Sequence, residues 1–169
     1  MRRKATGRYK AEGPEAEFEP GSRGRVLRNL VGVADYRQVN ISKGEFMFAA
    51  AGQVPRLMQE FERGPLREYT PCSFETTDAQ ATALAVVHAE LILIHPFREG
   101  NGRCARLLAM LMGLQAGLPT LDFGGIRGAK KKAYIAAVHA ALDRNYAPMT
   151  AVFRSVITRT LKSVATSSD

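Results

Sequence analysis

The chain has 169 residues, 46% of them hydrophobic, and a formal net charge of +8 from 24 basic and 16 acidic residues. That length suits one domain with a real core, and its two cysteines, Cys72 and Cys104, are not spaced for zinc or for a disulfide scaffold, so a reducing cytosol is the expected setting. No apolar run looks long and charge-free enough to cross a bilayer, and Met1-Arg2-Arg3-Lys4 is not followed by a signal-peptide core, so no membrane partner is expected.

In chain order, residues 1–25 are rich in charge, Gly and Pro and read as a basic, flexible lead with a turn at Glu19-Pro20-Gly21-Ser22. The packed domain is expected over 26–169, opening at Val26-Leu27-Arg28-Asn29-Leu30. Val31 to Phe48 reads as strand and turn, and 53–63 as a helix. Thr77-Asp78-Ala79-Gln80 has the form of a capping box with Thr77 as N-cap. A helix over 78–94 should follow, its apolar face formed by Leu84, Val87, His88, Leu91, Ile92 and Ile94. Pro96 stops it and places His95 at or past its end. Gly100-Asn101-Gly102 makes a turn into a helix over 103–116, with Leu107, Leu108, Met110, Leu111 and Leu114 as the expected buried side and Gly117 and Pro119 as its stop. Two more periodic helices follow. In 128–144, Tyr134, Ala137, Val138, Ala141 and Leu142 share a face; in 150–162, Phe153, Val156, Ile157 and Leu161 do. The expected fold is mainly α, a helical bundle with one small β-hairpin. The helix pair joined by the Gly-Asn-Gly turn should be its most buried part.

Most of the chemistry is concentrated in His95-Pro96-Phe97-Arg98-Glu99-Gly100-Asn101-Gly102-Arg103-Cys104-Ala105-Arg106. A glycine turn opening a helix points backbone amides at an anion. Arg103 and Arg106, three residues apart beside the positive end of a helix, are mutually repelled until an anion lies between them. A carboxylate such as Glu99 can hold Mg²⁺, and a histidine can accept a proton near neutral pH. The net charge would suit nucleic acid, but basic and aromatic residues are not interleaved and no nucleic-acid motif is present. A polyphosphate or an acidic partner is therefore the expected counter-charge.

These twelve residues match His-x-Phe-x-(Asp/Glu)-Gly-Asn-Gly-Arg-x-x-Arg at every specified position. The chain thus resembles the Fic (Fic/Doc) family of nucleotidyl-transferring enzymes, in its AMP-transferase branch. Arg37 to Phe48, Val54 to Met58, Tyr134 to Asp143 and Pro148-Met149 extend the resemblance, which covers roughly 36–161.

The resemblance implies a Fic-type bundle whose hairpin flap lies over the active-site loop. It implies His95 as the base that deprotonates a Ser, Thr or Tyr hydroxyl of a target protein, with ATP as the AMP donor. It implies Glu99 as the Mg²⁺ ligand, Gly100, Asn101 and Gly102 as the phosphate cradle, and Arg103 and Arg106 on the phosphate tail, Arg106 towards the γ-phosphate. Phe97 would be structural, its ring buried under the loop. The flap falls at Val39 to Phe48, with Ile41, Ser42, Lys43, Gly44, Glu45 and Phe46 as the docking edge, where an extended target segment would pair as an added strand.

Plainer roles are expected for several neighbours. His88 reads as a core histidine, Cys104 as a small core residue, Arg98 and the Lys130-Lys131-Lys132 run as solvated, and Phe46 and Phe48 as packing or flap-lining residues. Tyr134 is placed either near the nucleobase or in the core.

The chain also departs from the family. In the family, one or two helices separate the Pro-Gly-Ser opening from the flap, whereas here Val33 runs almost directly into Tyr36-Arg37. That shortening suggests a partner chain or a homodimer contact over exposed core. The inhibitory pattern (Ser/Thr)-x-x-x-Glu-(Gly/Asn) is missing: Glu12-Gly13 is preceded at that spacing by Arg8, and Glu99-Gly100 by His95. Inhibition is therefore expected from a separate small antitoxin that delivers a carboxylate to Arg106, as in toxin–antitoxin pairs. Delivery to another cell as an effector is the other setting considered.

Three functions compete. The favoured one is protein adenylyl transfer. The second is another transfer from the same site: phosphorylation as in the Doc branch, or transfer from a different nucleotide or a phosphocholine donor. Doc-like kinases carry lysine where Gly102 stands, which favours AMP transfer. The third is a catalytically silent Fic-fold binding module.

Overall fold

The structure is a computed structural model that describes residues 7–9 and 35–166. The expected turn at 19–22 and the domain opening at 26–30 lie outside the described residues. Among the described residues, a hairpin and five helices of eight residues or more build the fold: β1 (Ser42–Lys43), β2 (Phe46–Met47), α1 (Val54–Phe61), α2 (Thr77–Ile94), α3 (Asn101–Gln115), α4 (Gly128–Ala140) and α5 (Ala147–Ala165). It is thus mainly α with one two-stranded antiparallel sheet, in which Ser42 faces Met47 and Lys43 faces Phe46.

The hairpin is shorter than the expected strand region. Gly44 turns it with φ +61, a left-handed conformation natural to glycine. Phe48 N–H donates to the Ile41 carbonyl (3.2 Å) at the open end of the hairpin, and Ala49 N–H ties it to the bundle through the Leu93 carbonyl near the end of α2 (3.2 Å).

Helix α1 buries Val54, Leu57 and Phe61, one stripe at helical spacing. Each contributes about 2 kcal/mol of transfer free energy on burial. The sequence places its end near Arg63, before Gly64-Pro65, yet the helical path continues. A π-turn over Glu62–Leu66 contains Pro65, and a last turn, Arg67–Tyr69, follows. A wide turn accommodates a residue that has no N–H and whose ring would strike the preceding turn.

Helix α2 is the axis of the molecule, packed against α5, α3 and α1. It is buried on nearly every side, far beyond the single face read from the sequence. By length and composition it is also apolar enough to cross a membrane, contrary to the sequence reading, and 78% of it is buried inside the protein. Its N-cap is Thr76, whose hydroxyl accepts from Ala79 N–H (3.2 Å), rather than Thr77. Gln80 caps nothing; its amide donates to the carbonyls of Phe74 (2.8 Å) and Ala116 (3.4 Å).

Helix α3 corrects the sequence reading most clearly. Its inner face is Ala105, Ala109, Met112 and Gly113, while Leu107, Leu111 and Leu114 are 57%, 51% and 53% exposed. Small residues bring two helix backbones close together, and that close approach to α2 selects the face. A Cβ on Gly113 would stand 3.2 Å from Leu121 Cγ, so the chain after α3 folds back against the same seam. Cys104, expected in the core, is exposed; Cys72 is buried. On α5, Thr160 is buried where Leu161 was expected and donates to the Val156 carbonyl (2.9 Å), while Leu161 is 44% exposed.

Part of the lead expected to be loose is docked. Arg8 Nη1 and the Tyr9 hydroxyl donate to Glu90 Oε2 at 2.9 and 3.1 Å, and the Tyr146 hydroxyl donates to Glu90 Oε1. Glu90 is 1% exposed, and three donors from two distant segments satisfy it.

Candidate active site

Four local structures converge on one cavity of about 750 Å³: the hairpin, the end of α2, the loop into α3 and one face of α4. A second cavity of similar size, about 780 Å³, lies beside Arg8, Tyr69 and Tyr146 and contains no residue of the motif.

His95 caps α2 in the left-handed region, φ 52 and ψ 58. That conformation is uncommon for a residue with a Cβ and turns the chain sharply at Pro96. The ring is fixed by two contacts. Nδ1 donates to the Ile92 carbonyl (3.1 Å), and Phe48 stacks on the imidazole with centroids 3.7 Å apart. With Nδ1 carrying the proton, Nε2 is the free, basic nitrogen, and it has no hydrogen-bond partner among the described residues. Burial holds the imidazole below its ordinary pKa, and the positive charges of Arg37 and Lys43 lower it further, so it is neutral at pH 7.

The loop from 97 to 101 is closed by Asn101, which is 2% exposed. Its Oδ1 accepts from Phe97 N–H (2.8 Å) and its Nδ2 donates to the Phe97 carbonyl (2.7 Å). One Nδ2 hydrogen remains unused among the described residues. Phe97 is half-buried rather than covered by the loop, with its ring 6.4 Å from Tyr36.

Gly100 is the N-cap of α3 with φ +82, and no side chain caps the helix. The first amides, around Asn101 and Gly102, are therefore left for an anion. Arg103 and Arg106 fold towards this end: a Cβ on Gly100 would lie 3.6 Å from Arg103 Nη2, and one on Gly102 3.6 Å from Arg106 Nη1. Arg106, Glu99 and Gly102 line the cavity together with His95 and Asn101. Glu99 is exposed and has no ion-pair partner among the described residues. No group of three or more His, Cys, Asp or Glu residues able to hold a metal occurs among the described residues. A lone carboxylate facing an anion cradle fits Mg²⁺ that arrives on a polyphosphate and takes most of its ligands from it.

Of the flap positions named from sequence, Lys43, Glu45 and Phe46 line the cavity. Ser42, Gly44 and Ile41 lie on or beside the hairpin, away from the cavity wall. On the opposite wall, Tyr134 is tied into the core: its hydroxyl donates to His88 Nε2 (2.9 Å), and His88 Nδ1 donates to the Ala105 carbonyl (3.1 Å). His88 is 2% exposed, and burial pushes its pKa down to about 4. The structural role expected of His88 thus holds, and Tyr134 is both a wall of the cavity and a packed residue. The lysine run contributes Lys131 to the rim.

The family model described as Fic/DOC matches residues 22–112, more than half of the chain. The chain belongs to the Fic/DOC family. Of that family's motif in this chain, His95, Glu99, Gly100, Asn101, Gly102 and Arg106 line the cavity just described, and Phe97 and Arg103 do not.

Among relatives, the chain is 33% identical over 85 residues to the protein adenylyltransferase Fic of Drosophila melanogaster, a match covering 50% of this chain and 16% of that protein. It is 51% identical over 35 residues to the protein adenylyltransferase fic-1 of Caenorhabditis elegans, covering 21% and 7% respectively. This Fic domain therefore spans only a small part of the curated relatives it matches. Among solved structures, it is similar to BepC, a VirB-translocated effector protein of Bartonella tribocorum with bound AMPPNP: TM-score 0.59, 27% identity, 71% of this chain and 56% of that one. It is also similar to the N-terminal Fic domain of a Bep effector protein of Bartonella quintana with bound ADP: TM-score 0.55, 27% identity, 73% and 54%.

Sequence reasoning missed two residues that build the site, Arg37 and His139 of α4, which stacks on Phe46 with centroids 4.4 Å apart; Phe48, expected to pack or line the flap, lines the cavity, but its stacking on His95 was not foreseen. The only sequence signal was the aromatic pair Phe46 and Phe48 within the flap segment; Arg37 and His139 had none of their own.

Proposed function

We propose that this chain is a protein adenylyltransferase that moves AMP from ATP-Mg to a hydroxyl of a target protein. The observation that carries this reading is the convergence of the unpartnered Nε2 of a neutral His95 with an uncapped helix N-terminus and Arg106 in one cavity large enough for a nucleotide, with Arg103 folded towards the same helix end. His95 Nε2 takes the proton of the target hydroxyl. The oxygen forms a bond to the α-phosphorus, the bond from that phosphorus to the β-bridging oxygen breaks, and pyrophosphate leaves. The amides at the start of α3 and the free Asn101 N–H hold the phosphate oxygens, and Arg103 and Arg106 neutralise the tail. Mg²⁺, held through Glu99 and the phosphates, would supply charge neutralisation on the leaving group. An extended target segment would pair with the hairpin near Lys43–Phe46.

The names and bound nucleotides of the relatives support this reading: adenylyltransferase in the fly and worm proteins, AMPPNP and ADP in the Bartonella domains. A toxin or effector role, control by a separate antitoxin and a cytoplasmic setting belong to the same proposal.

The experiment is incubation with α-³²P-ATP and γ-³²P-ATP in parallel, with Mg²⁺, a lysate, and His95→Ala as control. Protein labelled from the α-position alone, and lost in the control, is the expected result. Label from the γ-position alone would replace this reading with a Doc-type kinase.

A further inference from the structure

Among the described residues, the one fully buried cation lies outside the motif. Arg37 is 1% exposed and has no carboxylate partner among the described residues. Its guanidinium is instead satisfied by backbone carbonyls. Nε donates to His95 (2.6 Å), Nη1 to Val39 (2.8 Å), and Nη2 to Ile94 (3.2 Å) and Ala49. Two of these carbonyls, Ile94 and His95, end α2, where unpaired carbonyls and the helix dipole favour a cation. The other two, Val39 and Ala49, flank the hairpin on its two sides. The Arg37 backbone N–H also donates to the Pro96 carbonyl (2.9 Å), closing the other side of the turn. Isolating a charge from water is costly unless it is fully hydrogen-bonded, so losing any one of these carbonyls would penalise the whole arrangement. Lysine, with one compact ammonium, cannot reach four carbonyls set in a planar fork.

We propose that Arg37 is a positioning residue that locks the target-docking hairpin and the catalytic turn at His95 into one cooperative unit, so that a segment paired on the hairpin is registered to the base. The proposal rests on the adenylyl-transfer reading only in taking His95 as base and the hairpin as docking edge. The left-handed backbone of His95 supports it. A strained residue persists where its surroundings over-determine it, and here the strained residue's own carbonyl receives the Arg37 Nε.

The first test uses the parent chain and native-state hydrogen exchange. The amides of Phe48 and Ala49 on the hairpin side and Arg37 and His95 on the turn side are all hydrogen-bonded. They should open together, with protection within about threefold and one denaturant slope. Hairpin amides exchanging more than about tenfold faster than His95 would overturn the proposal.

The second test is Arg37→Lys, read by long-range ¹H–¹⁵N correlation of the His95 ring. The single Nδ1–H tautomer should be lost, with Mg²⁺-AMPPNP affinity within about threefold of the parent, since the cradle at residues 100–106 makes no bond to Arg37. A parent-like ring spectrum, or exchange raised equally throughout α5, would reduce Arg37 to an ordinary core residue. If the parent labels no protein yet the coupled opening is seen, the transfer reading falls and the clamp stands.

Discussion

Phe48 lies nearly parallel to the imidazole of His95, with 3.7 Å between ring centroids and 17° between planes. Phe46 meets Phe48 edge-on at 5.1 Å and is itself stacked by His139 of α4. An aromatic column thus runs from α4 through the hairpin to the proposed base, and the His95 ring is oriented from the hairpin side.

Replacing Phe48 with leucine keeps the apolar volume and removes the flat partner of the imidazole. Transfer at saturating ATP should fall about tenfold, with AMPPNP affinity within about twofold of the parent. Parent-like turnover in a single-turnover assay would show that stacking does not orient the base.

The buried His88 makes stability depend on pH. Its pKa is about 4 folded, against an ordinary value of about 6.5 unfolded. Between those values the unfolded chain binds more protons, so stability falls as pH drops through that window, by up to about 1.4 kcal/mol per unit, and is level above it. The depressed His95 acts in the same direction. Urea midpoints at pH 7 and pH 5 should therefore diverge more for the parent than for His88→Gln. Equal divergence would mean that His88 is not buried neutral.

Gly100 adopts φ +82 at the start of α3. A methyl group there meets only Arg103 at ordinary contact distance, so the penalty of Gly100→Ala is conformational rather than steric. A loss of about 1–2 kcal/mol, a few degrees in Tm, is expected. An unchanged melting temperature would show that the turn has an alternative geometry.

The two faces of α3 should respond in opposite ways to bulk and charge. Leu111→Lys, on the exposed face, should stay within about 0.5 kcal/mol of the parent. Ala109→Leu, on the seam with α2, should cost about 1–3 kcal/mol by overpacking. A large loss at Leu111 measured by urea unfolding would show that this face is covered in solution.

The motif was legible because its chemistry is local: a turn, a cap and helical spacing place Gly100, Arg103 and Arg106 before any tertiary contact forms. The five helices were legible from period and from Pro and Gly stops, with errors where the tertiary environment intervened. The helix placed over 53–63 runs on through a π-turn that contains Pro65. Leu107, Leu111 and Leu114 gave α3 an apolar stripe, but hydrophobicity does not say which face a neighbour will approach, and the small side chains of Ala105 and Ala109 decided it. Arg37 was invisible for a related reason. Its partners are backbone carbonyls from separate segments, and carbonyls leave no trace in a sequence.

Helix α3 is seated mainly along one side, where Ala105, Ala109 and Gly113 leave little to trim and Met112 is the one bulky side chain. The groups at its tip are therefore aimed largely by close backbone approach. Engineering tolerance in this domain is consequently lopsided: the inner edge of α3 accepts almost no redesign, while its outer edge, one helix diameter away, is open to labels, tethers or solubilising charges that leave the aim of the helix unchanged.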